Sequence, residues 1–190
     1  MTEEFVRRRL EESACLLAQA ASLAGVATEA ARSVTRALAA GGKVMACGNG
    51  GSAAQAQHFC GELVGRYLRP RGALPALALN ADCATLTALA NDFGFEEAFA
   101  RQVEGLGREG DVLVALSTSG MSPNVAGAAR AARRRGVVVI ALTGAVPGMV
   151  GAEAHLCLAA PSRSTPRIQE AHLVLLHLIA ELVELEVAGS

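Results

Sequence analysis

The chain has 190 residues, of which 52% are hydrophobic and 18% are charged, and its formal net charge is −1. This composition is typical of one folded domain with a large core, and it argues against a disordered chain. The near-neutral charge, the single tyrosine and the absence of tryptophan also argue against a nucleic-acid partner, which needs a basic surface and stacking rings.

The cysteines and the absence of targeting signals predict a cytoplasmic protein. The five cysteines are scattered and form no CxxC pair, which is typical of buried thiols in a reducing compartment. Residues 1–5 lack the basic-then-apolar pattern of a signal peptide. No run of about 18 uncharged apolar residues occurs, so we expect no membrane span.

In chain order, the sequence predicts helices first and then a strand–helix alternation. Residues 3–40 predict two Ala- and Leu-rich helices, broken near residues 22–26. Short apolar runs predict strands at 43–47, 75–79, 111–116, 137–142 and 155–159. Helices are expected between them, at 52–66, 83–91, 95–106 and 122–135, and a last helix at 167–187.

Continuous apolar strands are typical of a parallel sheet that is buried on both faces. We therefore expect an α/β fold, a three-layer α/β/α sandwich with a five-stranded parallel sheet. Residues 1–190 are expected to form a single domain, in which residues 1–40 are a helical extension that serves oligomerisation.

A glycine-rich loop follows the first predicted strand, at residues 48–52. Its glycines, Gly48, Gly50 and Gly51, allow a sharp turn and a close approach to a ligand. Ser52 is predicted to cap the next helix, with Gln55 completing a capping box. A strand, a tight turn and a helix N-terminus together predict an anion-binding site.

A second polar loop follows the third predicted strand, at residues 117–122. It contains four hydroxyl side chains, and Ser122-Pro123 predicts the start of a helix. Ligands of parallel α/β sheets bind beyond the carboxyl ends of the strands, so we expect both loops to face one ligand. A plain Ser/Thr-rich turn is the alternative interpretation.

The helix after the first loop carries two side chains suited to chemistry. His58 and Glu62 are four residues apart and therefore share one helix face, which suits a common metal ion or substrate. Cys60 points to the opposite side and is predicted to pack in the core. His155 is predicted to be structural, and His172 to be structural or to support a ligand.

The strand–GNGGS–helix unit, the STSG-x-S loop and the five strands resemble a SIS (sugar isomerase) domain. The whole chain resembles the bacterial phosphoheptose isomerases, through segments that include 47–52, 91–95, 107–113, 117–120 and 167–170. That family isomerises sedoheptulose 7-phosphate, a ketose, to the aldose D-glycero-D-manno-heptose 7-phosphate for activated-heptose biosynthesis. The resemblance implies a homotetramer with one zinc ion per subunit.

Carried over residue by residue, the resemblance implies roles for particular side chains. Glu62 is implied as the general base and His177 as the general acid. The implied metal ligands are His58, Glu62, Gln169 and His177. The implied substrate contacts are Asn49, Gly50, Gly51, Ser52, Asn91, Asp92, Ser117, Thr118, Ser119, Ser122 and Gln169. In one departure, Pro166 stands where some members of the family carry an acidic residue.

Two other functions stay open at this point. Some SIS relatives bind the bacterial replication initiator without catalysis, and those relatives tend to lack the residues that correspond to Glu62 and His177. A sugar-phosphate-sensing module is the second alternative. It is usually joined to a DNA-binding or synthase domain, for which we expect no room in 190 residues.

Overall fold

The structure, a computed structural model, describes residues 2–188. Five parallel strands form one sheet in the order β2-β1-β3-β4-β5. The strands are β1 (Val44–Cys47), β2 (Ala76–Ala78), β3 (Val112–Ser117), β4 (Val138–Thr143) and β5 (Leu156–Ala159). The predicted parallel sheet is confirmed, and the end of each strand lies within one residue of its predicted position.

Helices cover both faces of the sheet. They are α1 (Glu3–Ala20), α2 (Ala24–Ala39), α3 (Gly51–Val64), α4 (Cys83–Phe93), α5 (Ala100–Leu106), α6 (Pro123–Arg134), α7 (Gly148–Ala152) and α8 (Thr165–Ala188). A 3₁₀ turn at Phe95–Glu97 precedes α5, so the helix predicted at 95–106 is wrong in its first half. The sequence did not predict α7, because five residues that include two glycines show no helical periodicity.

The two faces of the sheet pack against different helices. Even-numbered strand residues, such as Val114 and Ile140, are buried against α2, α3 and α8. Odd-numbered residues, such as Met45 and Leu113, are buried against α5 and α6. Both faces are therefore apolar, which explains the continuous hydrophobic runs in the sequence.

The strand order creates a crevice at the carboxyl edge of the sheet. β1 and β3 are neighbours, but β1 leads into α3 on one face and β3 leads into α6 on the other. The loops that follow these strands diverge, as at the topological switch point of other open parallel sheets. These are the two loops that the sequence predicted to share a ligand, residues 48–52 and 117–122.

The N-terminal helices are attached to α8. In the first turn of α8, the guanidinium group of Arg167 donates to the carbonyl of Arg9 at 2.7 Å and to the hydroxyl of Ser13. Ala30 and Val34 of α2 are fully buried in the core beside α8. This packing connects the helical extension to the helix that carries Gln169 and His177.

The outer face of the extension is apolar and exposed at Phe5, Val6 and Leu10. By length and composition alone, Glu3–Ala39 could cross a membrane, since an 18-residue window has a mean hydropathy of 1.3. Its α2 part, however, packs against the sheet as part of the domain core. The exposed apolar face of α1 suits contact with another protein chain.

A buried carboxylate connects the start of β1 to the start of β3. Asp111 accepts hydrogen bonds from the backbone N–H of Lys43 at 2.9 Å, the Lys43 ammonium at 2.5 Å and the backbone N–H of Arg108 at 2.8 Å. Burial alone raises the pKa of Asp111, but these hydrogen bonds outweigh it and hold the pKa below its ordinary value. The pair stabilises the amino edge of the sheet, away from the two loops.

Asp111→Asn should reduce the free energy of unfolding by about 1–3 kcal/mol at neutral pH, because the amide cannot pair with the Lys43 ammonium. The pKa of Asp111 is lower in the folded state than in the unfolded state. Its stabilising effect is therefore present above the unfolded-state pKa of about 3.9 and is lost as the pH falls through the folded-state pKa. Urea unfolding across the acid range should therefore show a steeper decline in the wild type than in the variant.

The control for this substitution is Glu29→Gln, which removes an exposed ion pair with Arg32. Its free energy of unfolding should change by less than about 0.5 kcal/mol. Equal losses in the two variants would contradict the role given to Asp111.

Candidate active site

The loop after β1 turns at Gly50, whose φ of 54° and ψ of −122° suit glycine. Gly50 is the N-cap of α3, and the backbone N–H of Ser52 donates to the Asn49 carbonyl at 3.0 Å. The predicted Ser52 cap is therefore wrong, because the turn at Gly50 starts the helix earlier. Gly50 adds no side-chain acceptor, which leaves the positive end of α3 open to an anion.

The loop after β3 is held by its own hydroxyl groups. The Oγ atoms of Ser117 and Ser122 are 2.8 Å apart, and the Ser119 Oγ accepts from the backbone N–H of Met121 at 3.1 Å. Ser122 is the N-cap residue of α6 and Pro123 follows it, as predicted. The Ser122 hydroxyl bonds to Ser117 rather than to the helix backbone, so it faces the crevice.

A cavity of about 320 Å³ lies between the two loops. It is lined by Asn49, Gly50, Gly51, Ser52, Leu116, Ser117, Thr118, Ser122, Thr165 and Gln169. Eight of the eleven expected substrate contacts are in this lining. Hydroxyl, amide and backbone groups at two helix N-termini provide the chemistry of a phosphate site.

The other three expected contacts lie outside this lining. Ser119 belongs to the second loop, and its hydroxyl accepts the bond from Met121. Asn91 and Asp92 are exposed on the last turn of α4, where the Asn91 amide donates to the Asp92 carboxylate at 2.8 Å. Their contact with substrate stays a prediction.

A pair of amides joins the first loop to the first turn of α6. The Asn49 Nδ2 donates to Asn124 Oδ1, and the Asn124 Nδ2 donates to Asn49 Oδ1, both at 2.9 Å. Asn124 is only 3% exposed. The sequence alone did not predict this contact. An asparagine on the buried face of the alanine-rich helix α6 nevertheless indicates a buried hydrogen-bond partner.

Gln169 approaches the start of α3 very closely. A Cβ atom added at Gly51 would lie 2.6 Å from the Gln169 Nε2 and 2.8 Å from its Oε1. Gln55, one turn into α3, also donates to the Gln169 carbonyl at 2.6 Å. The amide of Gln169 is thus held in the cavity, and its role as a metal ligand stays a prediction.

Three of the expected ligand side chains converge farther along α3. The Nε2 of His58 lies 2.8 Å from the Nε2 of His177 and 3.3 Å from the Oε1 of Glu62. The ligand atoms of all three residues lie within 4.8 Å of one another. Two imidazole nitrogens and one carboxylate oxygen are the protein ligands of many catalytic zinc sites, which keep a further position open. The donor set therefore fits zinc.

The remaining histidines and Cys60 have structural surroundings, as predicted. His172 is fully buried with its Nε2 2.9 Å from the Thr143 carbonyl, and burial lowers its pKa to about 4. The Nδ1 of His155 accepts from the backbone N–H of Val139 at 2.9 Å. Burial raises the pKa of Cys60 to about 12, which makes it an inert core thiol.

The chain matches the SIS domain family over residues 10–144. It is 51% identical to a phosphoheptose isomerase from Rhodospirillum rubrum over 182 residues, which are 96% of this chain and 97% of that protein. It is also similar to the structure of phosphoheptose isomerase from Neisseria gonorrhoeae, with 42% identity, a TM-score of 0.91 and coverage of 96% of this chain and 98% of that one. A phosphoheptose isomerase structure from Francisella tularensis aligns with a TM-score of 0.93 at 36% identity, over 97% of this chain and all of that one.

Gly51→Ala should displace the Gln169 amide from the cavity, because the new methyl group would overlap it. We expect binding of inorganic phosphate, measured by calorimetry, to weaken by about tenfold, the cost of one lost hydrogen bond to an anion. The fold should persist, since a flexible side chain can move aside.

Gly61→Ala is the matched control on the same helix, because its Cβ would meet nothing within 4 Å. This substitution should leave phosphate binding unchanged and raise the free energy of unfolding by about 0.5–1 kcal/mol. If both alanine variants bound phosphate as the wild type does, the cavity would not be the phosphate site.

Proposed function

The chain belongs to the phosphoheptose isomerases of the SIS domain family, and we propose that it converts sedoheptulose 7-phosphate to D-glycero-D-manno-heptose 7-phosphate. It is an aldose–ketose isomerase. The observation that carries this function is a cavity for a phosphate beside a separate group of acid–base side chains, His58, Glu62 and His177. The direct test is incubation of the purified protein with sedoheptulose 7-phosphate and identification of the product by NMR.

The spacing of the two parts suits a long sugar phosphate. The seven residues from Gly51 to His58 correspond to a rise of about 10 Å along α3. A seven-carbon chain with its phosphoryl group is also about 10 Å long when extended, at about 1.25 Å per bond. A phosphate bound between the two loops would therefore let C1 and C2 of the sugar reach the acid–base group.

The reaction moves a carbonyl from C2 to C1 through an enediol. Glu62 takes the proton from C1, and the electrons of that bond form the C1–C2 double bond while His177 gives a proton to the oxygen on C2. Return of a proton to C2 and loss of the C1 hydroxyl proton complete the aldose. The phosphate takes no part in the chemistry and serves to position the reacting carbons.

We further propose that His58, Glu62 and His177 bind one zinc ion per subunit, and that Gln169 becomes a fourth ligand by turning its amide away from Gly51. When bound, zinc would polarise the sugar oxygens and stabilise negative charge on them. The convergence of two imidazole nitrogens and a carboxylate supports this assignment. In Glu62, one carboxylate oxygen faces His58 and the other is left to accept the carbon proton. In His177, Nε2 faces His58 and would bind the metal, so Nδ1 is the nitrogen left to hold the proton.

The proposed assembly is a cytoplasmic homotetramer. The exposed apolar residues Phe5, Val6 and Leu10 of α1 support an interface between subunits, and the five free cysteines support a reducing compartment. Sedimentation at micromolar concentration should give a tetramer, and a stable monomer would contradict the proposal.

The two alternatives have less support. A non-catalytic protein that binds the replication initiator would not need Glu62 and His177, yet their side chains meet at His58. A sugar-phosphate sensor would need the phosphate cavity alone. Turnover of the sugar phosphate separates both alternatives from the enzyme.

Glu62→Gln should reduce kcat by about a hundredfold or more, because the amide keeps the shape of the side chain but cannot accept a proton from carbon. The KM should change little, since the phosphate cavity lies away from this position. Steady-state kinetics with sedoheptulose 7-phosphate provide the measurement. A variant that kept more than about a tenth of the wild-type kcat would show that another group is the base.

His177→Asn should weaken zinc binding and remove the general acid together, so excess zinc should not restore its activity. The wild type, in contrast, should lose activity to a strong chelator and recover it with stoichiometric zinc. His155→Asn is the matched control, because the Asn Oδ1 can replace the Nδ1 that accepts from Val139. Fully active wild-type protein without zinc would contradict the metal proposal and leave the acid–base pair to be tested by Glu62→Gln.

A further inference from the structure

A second polar cluster lies beside the acid–base group, and the reaction itself does not use it. It consists of Glu184 in α8, Arg71, and the loop of residues 65–72 that follows α3. Both charged side chains are almost fully buried, with exposed fractions of 2% for Glu184 and 4% for Arg71. A buried ion pair is costly to desolvate and is often replaceable by apolar residues without loss of stability, so its presence calls for another reason.

Glu184 holds the loop through its backbone. The Oε1 atom accepts from the N–H of Tyr67 at 2.9 Å, and Oε2 accepts from the N–H groups of Leu68 and Arg69 at 2.7 Å each. Burial alone raises the pKa of Glu184, but these three bonds and the Arg71 charge hold it below the ordinary value. The side chain is therefore a carboxylate at neutral pH.

Arg71 holds the end of α3. Its guanidinium group donates to the carbonyl of Glu62 at 2.6 Å, of Leu63 at 2.8 Å and of Gly65 at 3.3 Å. Carbonyls in the last turn of a helix lack partners within the helix, so one arginine satisfies several of them. The Nε of Arg71 also lies 3.3 Å from the Oε1 of Glu184.

These contacts converge on the acid–base group from both helices. Arg71 binds the backbone of Glu62 itself. Glu184 follows His177 by seven residues, which is two turns along one face of α8. The ring of Tyr67, whose N–H binds Glu184, lies 5.6 Å from the ring of His177.

We propose that Glu184 and Arg71 are positioning residues that fix Glu62 on α3 relative to His177 on α8. The proposal rests on the function proposed above. Groups that orient metal ligands or catalytic side chains typically change metal affinity or activity by about 10- to 100-fold when they are removed. The phosphate cavity, at the other end of α3, does not depend on the cluster.

Glu184→Gln and Arg71→Lys test this proposal. The amide turns a donor toward loop N–H groups, and the lysine ammonium cannot reach several carbonyls at once. For protein that is folded by circular dichroism, both variants should bind zinc about 10- to 100-fold more weakly, by competition with a chromophoric chelator, and lose kcat to a similar extent. The KM should stay within about threefold of wild type, because phosphate binding is unaffected.

Asp111→Asn is the matched control, since it also alters a buried carboxylate that binds two backbone N–H groups and a cation. It should lower stability while leaving zinc affinity and kcat near wild type. The proposal would be overturned if Glu184→Gln and Arg71→Lys kept a zinc affinity and a kcat as high as those of this control. Failure of both variants to fold at 25 °C would also overturn it, because the cluster would then serve stability alone.

This result can be separated from the proposed function. Wild-type turnover of sedoheptulose 7-phosphate decides that function by itself. The difference in zinc affinity between wild type and variants decides the positioning role, whichever sugar phosphate is the substrate. If the wild type bound no zinc, a loss of kcat at an unchanged KM in the two variants would decide the positioning role.

Discussion

The packing of α8 along α3 is the interaction on which the candidate site depends. Three contacts follow one another along the two helices: Gln169 beside Gly51, His177 beside His58, and Glu184 at the loop that follows α3. Because the order is the same in both helices, they run side by side in one direction. Buried apolar residues between them and the sheet, such as Phe59 and Leu176, hold this alignment. A small shift of α8 would disturb all three contacts together.

The fold separates the proposed phosphate site from the proposed acid–base group. The switch point between β1 and β3 places two helix N-termini around one cavity, which suits an anionic group. The acid–base side chains lie about two turns farther along α3, where α8 brings a histidine from the far end of the chain. A substrate held at one end can thus be positioned at the other without a catalytic role for its phosphate.

Two buried carboxylates, Asp111 and Glu184, stabilise different parts of the structure through the same kinds of contact. Asp111 at the amino edge of the sheet and Glu184 beside the acid–base group each accept backbone N–H groups and face one cation. Such bonds compensate the desolvation of a carboxylate more fully than a single ion pair can. The two clusters differ in what they hold, since the first joins strands and the second joins two helices that carry the proposed catalytic residues.

The sequence by itself determined the sheet, the two loops and the shared face of His58 and Glu62, because each depends on local periodicity or on spacing within one element. His177 and Gln169 were reached only through resemblance to a family, since no local pattern shows that residues more than 100 positions away meet α3. The Asn49–Asn124 pair and the Glu184–Arg71 cluster were decided by tertiary structure, whereas Gly50 caps α3 through a local turn. In the pair and the cluster a polar group finds its partner in another element, and only the packed chain brings the two together.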